Sequence, residues 1–205
     1  MNFSLMLSFS LIFIKLTAFE LYEEYSINRI SNIFEVEADQ KKHGTIEKIN
    51  LNEYQIKDFS TNSLVIAKVW GDEHFFKFDI IEPENRIIGV AEQTSHVLGD
   101  RKFQVFSHTR ELLALVEIHP SGYLIMKDRI DDHVIAVASR STSKDHCWFL
   151  RIQNLTSVQQ SPLLFYVMTT LIPLQEEFER QQSIDAVDGI FKLFHYLFNA
   201  IPYTF

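Results

Sequence analysis

Phe103-Gln-Val-Phe106, the polar turn Ser107 to Arg110 and Leu112-Leu-Ala-Leu-Val116 form the unit whose repetition decides the fold. An aromatic-led apolar stretch, a polar turn and a second apolar stretch with a small residue at its centre read as a β-hairpin. The same unit occurs three more times. Tyr54-Gln-Ile-Lys-Asp-Phe59 leads through Ser60 to Ser63 into Leu64-Val-Ile-Ala-Lys-Val69. Phe76-Lys-Phe-Asp-Ile80 leads through Glu82 to Asn85 into Ile87-Ile-Gly-Val-Ala91, and Tyr123-Leu-Ile-Met-Lys127 leads through Asp128 to Asp132 into Val134-Ile-Ala-Val-Ala138. Ala67, Gly89, Ala114 and Ala136 hold the same place in each second strand, at intervals of 22 to 25 residues. A small residue recurring at one level suits a sheet that curves tightly or admits a large neighbour there.

Outward from the repeat, Asn32 to Glu37, Gly44 to Ile49, Ser95 to Leu98 and Trp148 to Ile152 carry the same signature, giving about twelve strands in all. So many short antiparallel strands are expected to close into a barrel, which leaves no exposed edge. The pattern then changes. Ser161-Pro162 reads as a helix start, and Leu163-Leu-Phe-Tyr-Val-Met-Thr-Thr-Leu-Ile172 is apolar on nearly every side. Such a helix needs cover all round. Two readings stay open: a helix inside the barrel, or a membrane-inserting hairpin bent at Pro173. Pro173 is expected to kink the helix, and the polar Gln175 to Gln182 to leave the core. A last stripe, Ile184, Val187, Phe191, Phe194, Phe198 and Ile201, predicts a further, amphipathic helix that packs on the barrel or meets an apolar partner.

The expected organisation is therefore mainly β: a signal peptide at 1–18, a barrel domain at 19–182 with its core helix at 161–178, and an amphipathic aromatic helix at 183–205. For the first segment, an apolar run from Leu5 to Ile14 followed by Lys15 and Thr17-Ala18 reads as a secretory leader cleaved after Ala18. The alternative is a buried N-terminal strand. The secretory reading makes the protein secreted or lumenal, and it gives meaning to the glycosylation sequon Asn154-Leu155-Thr156.

A chain of 205 residues is long enough for one well-buried core. Its 18 phenylalanines imply that aromatic packing dominates that core. Its formal net charge of -8, with no basic run longer than Lys41-Lys42 or Arg101-Lys102, argues against nucleic acid as a partner. Nor does any pattern point to catalysis or a cofactor. The eight histidines show no ligand spacing, and phosphate-binding glycine loops and nucleophile elbows are missing. Asp128 to His133 reads as a solvated turn in preference to a calcium loop, which would need a glycine for its sharp bend. Cys147, the single cysteine, is either a buried inert thiol or a reactive one paired with His146. No metal site and no catalytic residue is assigned.

Hairpins followed by one all-apolar helix resemble the tubby-like barrel, the fold shared by phospholipid scramblases and LURP-one-related proteins. Gly89-Val-Ala-Glu92, Arg101-Lys-Phe-Gln-Val-Phe106 and Glu111-Leu-Leu-Ala-Leu-Val-Glu-Ile-His-Pro120 stand in the order of a scramblase segment. The resemblance implies a strand barrel threaded by a hydrophobic helix, and dealings with lipid. The expected function is thus a non-enzymatic module that binds a membrane surface or apolar ligand, with Phe191, Phe194, Phe198 and Tyr203 as contact residues. The alternatives are a scramblase-like phospholipid mover and a secreted module with a protein partner of unknown identity.

Overall fold

The computed structural model describes residues 21–58, 62–71, 76–97, 100–144 and 146–199. The expected leader and its cleavage site at Ala18 lie outside them, as does Tyr203. Twelve antiparallel strands run as a meander and close on themselves: β1 (Glu24–Ile30), β2 (Ile33–Ala38), β3 (Lys41–Asn50), β4 (Glu53–Asp58), β5 (Ser63–Gly71), β6 (Phe76–Ile81), β7 (Ile87–Val97), β8 (Asp100–Ser107), β9 (Leu112–His119), β10 (Tyr123–Asp128), β11 (Val134–Arg140) and β12 (Cys147–Ile152). Closure is made by β1 on β12, with Tyr25 opposite Leu150 and Ile27 opposite Trp148. Two helices follow, α1 (Leu155–Gln160) and α2 (Leu163–Asn199).

The twelve strands differ at two places from those expected. Of the strand expected at Ser95 to Leu98, the described residues Ser95 to Val97 are not separate, because β7 continues across a bulge and pairs with β8 as far as Val97 opposite Asp100. The missing member is β1, whose alternation of buried Tyr25 and Ile27 with more exposed neighbours is a plain strand signal. α1 was not anticipated either. Its start is set by Asn154, whose side chain accepts from Ser157 N at 3.1 Å, an ordinary N-cap.

Inward-facing residues alternate along each strand, and the four small residues of the repeat all face inward and are buried. They sit beside large partners: Ala67 lies between Tyr54 and Ile80 in register, and Ala136 between Met126 and Ile152. At Gly89 the reason is explicit. A Cβ there would lie 2.1 Å from Leu163 Cδ2 and 2.8 Å from the Phe106 carbonyl, so the first turn of α2 passes where a side chain would be.

α2 fills the barrel. An eight-stranded barrel is filled by its own side chains, whereas twelve strands leave a bore that a helix can occupy. Val167, Met168, Leu171 and Ile172 are wholly buried, as are Thr169 and Thr170. The two hydroxyls avoid a desolvation penalty by bonding to the helix itself: Thr169 Oγ1 donates to the carbonyls of Phe165 and Tyr166 at 3.0 and 3.1 Å, and Thr170 Oγ1 to Tyr166 at 2.7 Å. The core-helix reading therefore holds, and the membrane-hairpin reading of Leu163 to Ile172 is excluded by its place within the sheet.

The division into a helix at 161–178 and another at 183–205 is corrected by the structure. α2 is continuous from Leu163 to Asn199 and contains Pro173. Proline deprives the Thr169 carbonyl of its usual donor, a cost of about 3 kcal/mol in an isolated helix. Here the barrel wall holds the chain on both sides of it, with Ile172 and Leu174 both buried. Tertiary packing overrides the local signal.

Candidate functional site at the mouth of the barrel

The two ends of the barrel differ in what surrounds α2, although each carries exposed apolar side chains, Ile130 and Ile87 being those at the base among the described residues. At the base, where α2 begins, the turn between β2 and β3 holds Asp39 and that between β6 and β7 holds Glu82 and Glu84. Glu111 follows β8, and Asp131 and Asp132 lie between β10 and β11. The Asp128 to His133 segment is a solvated turn, as expected: Asp128 Oδ1 accepts from Ile130 N and Asp131 Oδ1 from His133 N. That second bond holds the Asp131 carboxyl below its usual range. Among the described residues no group of histidine, cysteine and carboxylate side chains could hold a metal ion.

At the other end, the mouth, α2 leaves the barrel through a collar. Successive helical residues point about 100° apart, so four of them can address four sides of an opening. Residues 176 to 179 do so. Glu176, 5% exposed, accepts from Trp148 Nε1 of β12 at 2.9 Å and from Arg29 Nη1 of β1 at 3.2 Å. Glu177 takes both its oxygens to Lys48 Nζ of β3 at 2.7 Å. Phe178 packs on Phe76 of β6 with ring centres 4.9 Å apart, and the Arg101 guanidinium of β8 lies 3.5 Å from its ring centre. Glu179 pairs with Arg140 Nη2 of β11 at 2.6 Å and accepts from Gln175 Nε2 at 2.9 Å. Burial, with Glu177 close by, pushes the Tyr54 phenol far above its ordinary value, so it stays protonated in the wall.

Beyond the collar the helix becomes exposed, with Ile184 and Val187 about half so. Around the mouth, among the described residues, further apolar side chains face out: Ile30 at the end of β1, Ile49 and Leu51 at the turn between β3 and β4, and Trp70 near the end of β5. These fall within the arc of five consecutive strands from β1 to β5. The Val69 amide, beside Trp70, donates to the Asn52 carbonyl at 2.7 Å, tying the β5 end to the β3–β4 turn. Trp70 Nε1 donates to Asp79 Oδ2 at 2.8 Å, and Lys68 Nζ lies 4.7 Å from its ring centre.

Of the residues expected to make contact, Phe191, Phe194 and Phe198 lie on the last turns of α2, continuing the line of Ile184 and Val187. Their side chains, and Tyr203 altogether, lie outside the described residues. Asn154 uses its Oδ1 to cap α1, leaving the cap independent of Nδ2, the atom a glycan would take. Cys147 is buried, which pushes its thiol up and makes a thiolate less accessible; its sulfur contacts the Trp148 carbonyl at 3.9 Å. His146 instead points toward Glu176, Nδ1 lying 3.9 Å from its Oε2.

The collar was not legible in advance. Gln175-Glu-Glu-Phe-Glu-Arg180 is visible as a polar run, but its cations come from four strands spread over more than a hundred residues. Nor were Ile30, Leu51 and Trp70 singled out, since isolated apolar residues near turns carry no pattern.

No protein-family model matches the chain, and no curated protein matches it in sequence. Among solved structures it is similar to the crystal structure of a protein from Arabidopsis thaliana, with a TM-score of 0.51 and 11% identity over 75% of this chain and 89% of that one. At that identity the likeness is one of barrel fold alone.

Proposed function

We propose that the protein is a non-enzymatic binding module that engages a lipid surface with the mouth end of its barrel. The observation that carries this is the course of α2, one helix whose first half is the core and whose second half leaves the collar with apolar residues unburied at Ile184 and Val187. A soluble domain that leaves a row of apolar residues outside its core presents a contact surface. In the remaining turns Phe191, Phe194 and Phe198 extend that row, while Asp185, Asp188, Lys192 and Asn199 form another line. The interior supports the same assignment of function to the outside, because Val167 to Ile172 occupy the bore that a ligand-carrying barrel would keep open.

The finer family reading, a tubby-like barrel of the scramblase and LURP-one-related kind, belongs with this proposal. It is supported by a twelve-stranded closed sheet threaded by an apolar helix, together with the segment from Gly89 to Pro120. A scramblase-like movement of phospholipid is the alternative. Secretory targeting completes the proposal: intact mass from a eukaryotic secretion host is expected to show a chain beginning at Phe19 with a glycan on Asn154, and a cytosolic, unglycosylated chain starting at Met1 overturns it.

Vesicle flotation tests the contact. The whole chain is expected to float with phosphatidylcholine vesicles, and Phe191→Asp with Phe194→Asp to stay at the bottom of the gradient. A wild-type chain that stays there too defeats the reading. Dithionite quenching of labelled lipid in reconstituted vesicles separates binding from movement, since only a mover exposes inner-leaflet label.

A further inference from the structure

The second half of α2 need not act alone. We infer that Ile30, Ile49, Leu51 and Trp70 form a second contact, inserting into an electrically neutral lipid surface; the inference rests on the lipid-binding reading above. Three observations carry it.

First, the four side chains share the end of the barrel from which α2 emerges, and they fall within five consecutive strands. With neighbouring strands about 4.8 Å apart, five strands cover about 19 Å of rim. Leu51 is 85% exposed and Ile30 56% exposed. An aliphatic side chain held in water at a turn tip gains most by entering hydrocarbon.

Second, Trp70 has the form of an interfacial anchor. Its indole N–H is already satisfied by Asp79, so the ring can meet an apolar phase without leaving an unpaired donor. Lys68, beside the ring and 3.6 Å from Glu53 Oε1, marks the polar level behind it.

Third, charge selects the surface. Binding to an anionic membrane needs cations turned outward. Four basic side chains at the mouth are turned to the collar: Arg29, Lys48 and Arg140 are matched by Glu176, Glu177 and Glu179, and Arg101 lies over Phe178, while Lys144 and Arg180 there are exposed. The chain as a whole carries -8, which an anionic surface repels. Insertion of apolar tips into a neutral surface answers both facts, and it predicts binding that salt does not weaken.

Tryptophan fluorescence gives the test, because the chain has two tryptophans and Trp148 is wholly buried and hydrogen-bonded inside the collar. Phosphatidylcholine vesicles added to the whole chain are expected to shift the emission to the blue equally at low and high salt. Trp70→Phe is expected to lose the shift. Leu51→Glu combined with Ile49→Glu is expected to weaken partitioning by at least about tenfold, the effect of keeping one such side chain in water, with an unchanged melting temperature. A shift that requires phosphatidylserine and vanishes at high salt overturns the inference. So does flotation on phosphatidylcholine with no change in Trp70 emission, which leaves the contact of α2 standing. A chain that floats with neither kind of vesicle defeats both readings.

Discussion

The two halves of α2 are one unbroken helix in two environments. From Leu163 to Leu174 every residue is buried, and Pro173 and two threonines are held there alongside the apolar side chains. From Arg180 to Val187 the described residues are exposed, Ile184 and Val187 among them. The same type of side chain therefore contributes to stability in one half and not in the other. The collar at Glu176 to Glu179 marks the change, and it does so largely with charge: its directed contacts add to the fit of Leu163 at Gly89 in fixing how far the helix is threaded.

The largest effect is expected where the comparison is sharpest. Val167→Asp places a carboxylate at a wholly buried position facing the inner wall. An unpaired charge there costs several kcal/mol, against a typical domain stability of about 5–15 kcal/mol. The variant is expected not to accumulate as folded protein, as read by expression and by loss of a cooperative melt. A folded variant with a near-normal transition would mean that the inner half is not what closes the barrel.

Next comes the wall opposite the start of the helix. Gly89→Ala puts a methyl group into contact with Leu163 and the Phe106 carbonyl, and overpacking of this kind costs about 1–3 kcal/mol. Leu163→Ala should relieve part of that clash, so the double variant is expected to lose less than the two single losses combined. Strict additivity in urea midpoints would show that Gly89 is small for some reason other than the helix.

That position also shows what the sequence could disclose. The recurrence of Ala67, Gly89, Ala114 and Ala136 was readable because hairpin packing is a local, repeated problem. The all-apolar helix was readable because such a segment has few stable places to go. The strand β1 was overlooked although it forms a hairpin with β2, because the turn at Ser31-Asn32 carries neither glycine nor proline; its other partner, β12, lies over a hundred residues away. The polar run Gln175 to Gln182 misled because it reads as an exit from one helix before the next, whereas α2 continues through it. The collar was hidden for the same reason as the β1–β12 closure, since Arg29 and Glu176 are 147 residues apart.

A third prediction addresses the boundary itself. Glu176→Gln keeps an acceptor for Trp148 but removes the charge that faces Arg29, whose side chain is 23% exposed and can recruit water. The expected loss is about 1–3 kcal/mol, that of a hydrogen bond to a charged group, and smaller than for a fully buried ion pair. Thermal melts at low and high salt would measure it. A loss as large as that of Val167→Asp would make the collar part of the core, and no loss at all would remove it as the element that fixes threading.

The smallest effect on stability is expected from Phe194→Asp, and it is the most informative for function. Phe194 lies two helical turns beyond Val187, on the stretch of α2 that has left the collar. If nothing of the folded domain covers that stretch, an aspartate there removes no buried contact and strands no charge. The change in stability should stay within about 0.5 kcal/mol, the usual range for surface substitutions. Aspartate is a poorer helix former than phenylalanine by only a few tenths of a kcal/mol, so the helix should persist in circular dichroism. Partitioning onto phosphatidylcholine vesicles should fall steeply, because the substitution replaces an aromatic anchor by a charge that must stay in water. A melting temperature lowered by several degrees would point the other way: the distal half would then be packed against the barrel or a second copy of the chain, and dependence of that melt on protein concentration would tell these two apart. A stable variant that no longer floats leaves the helix as a core element inside the barrel and a contact element outside it.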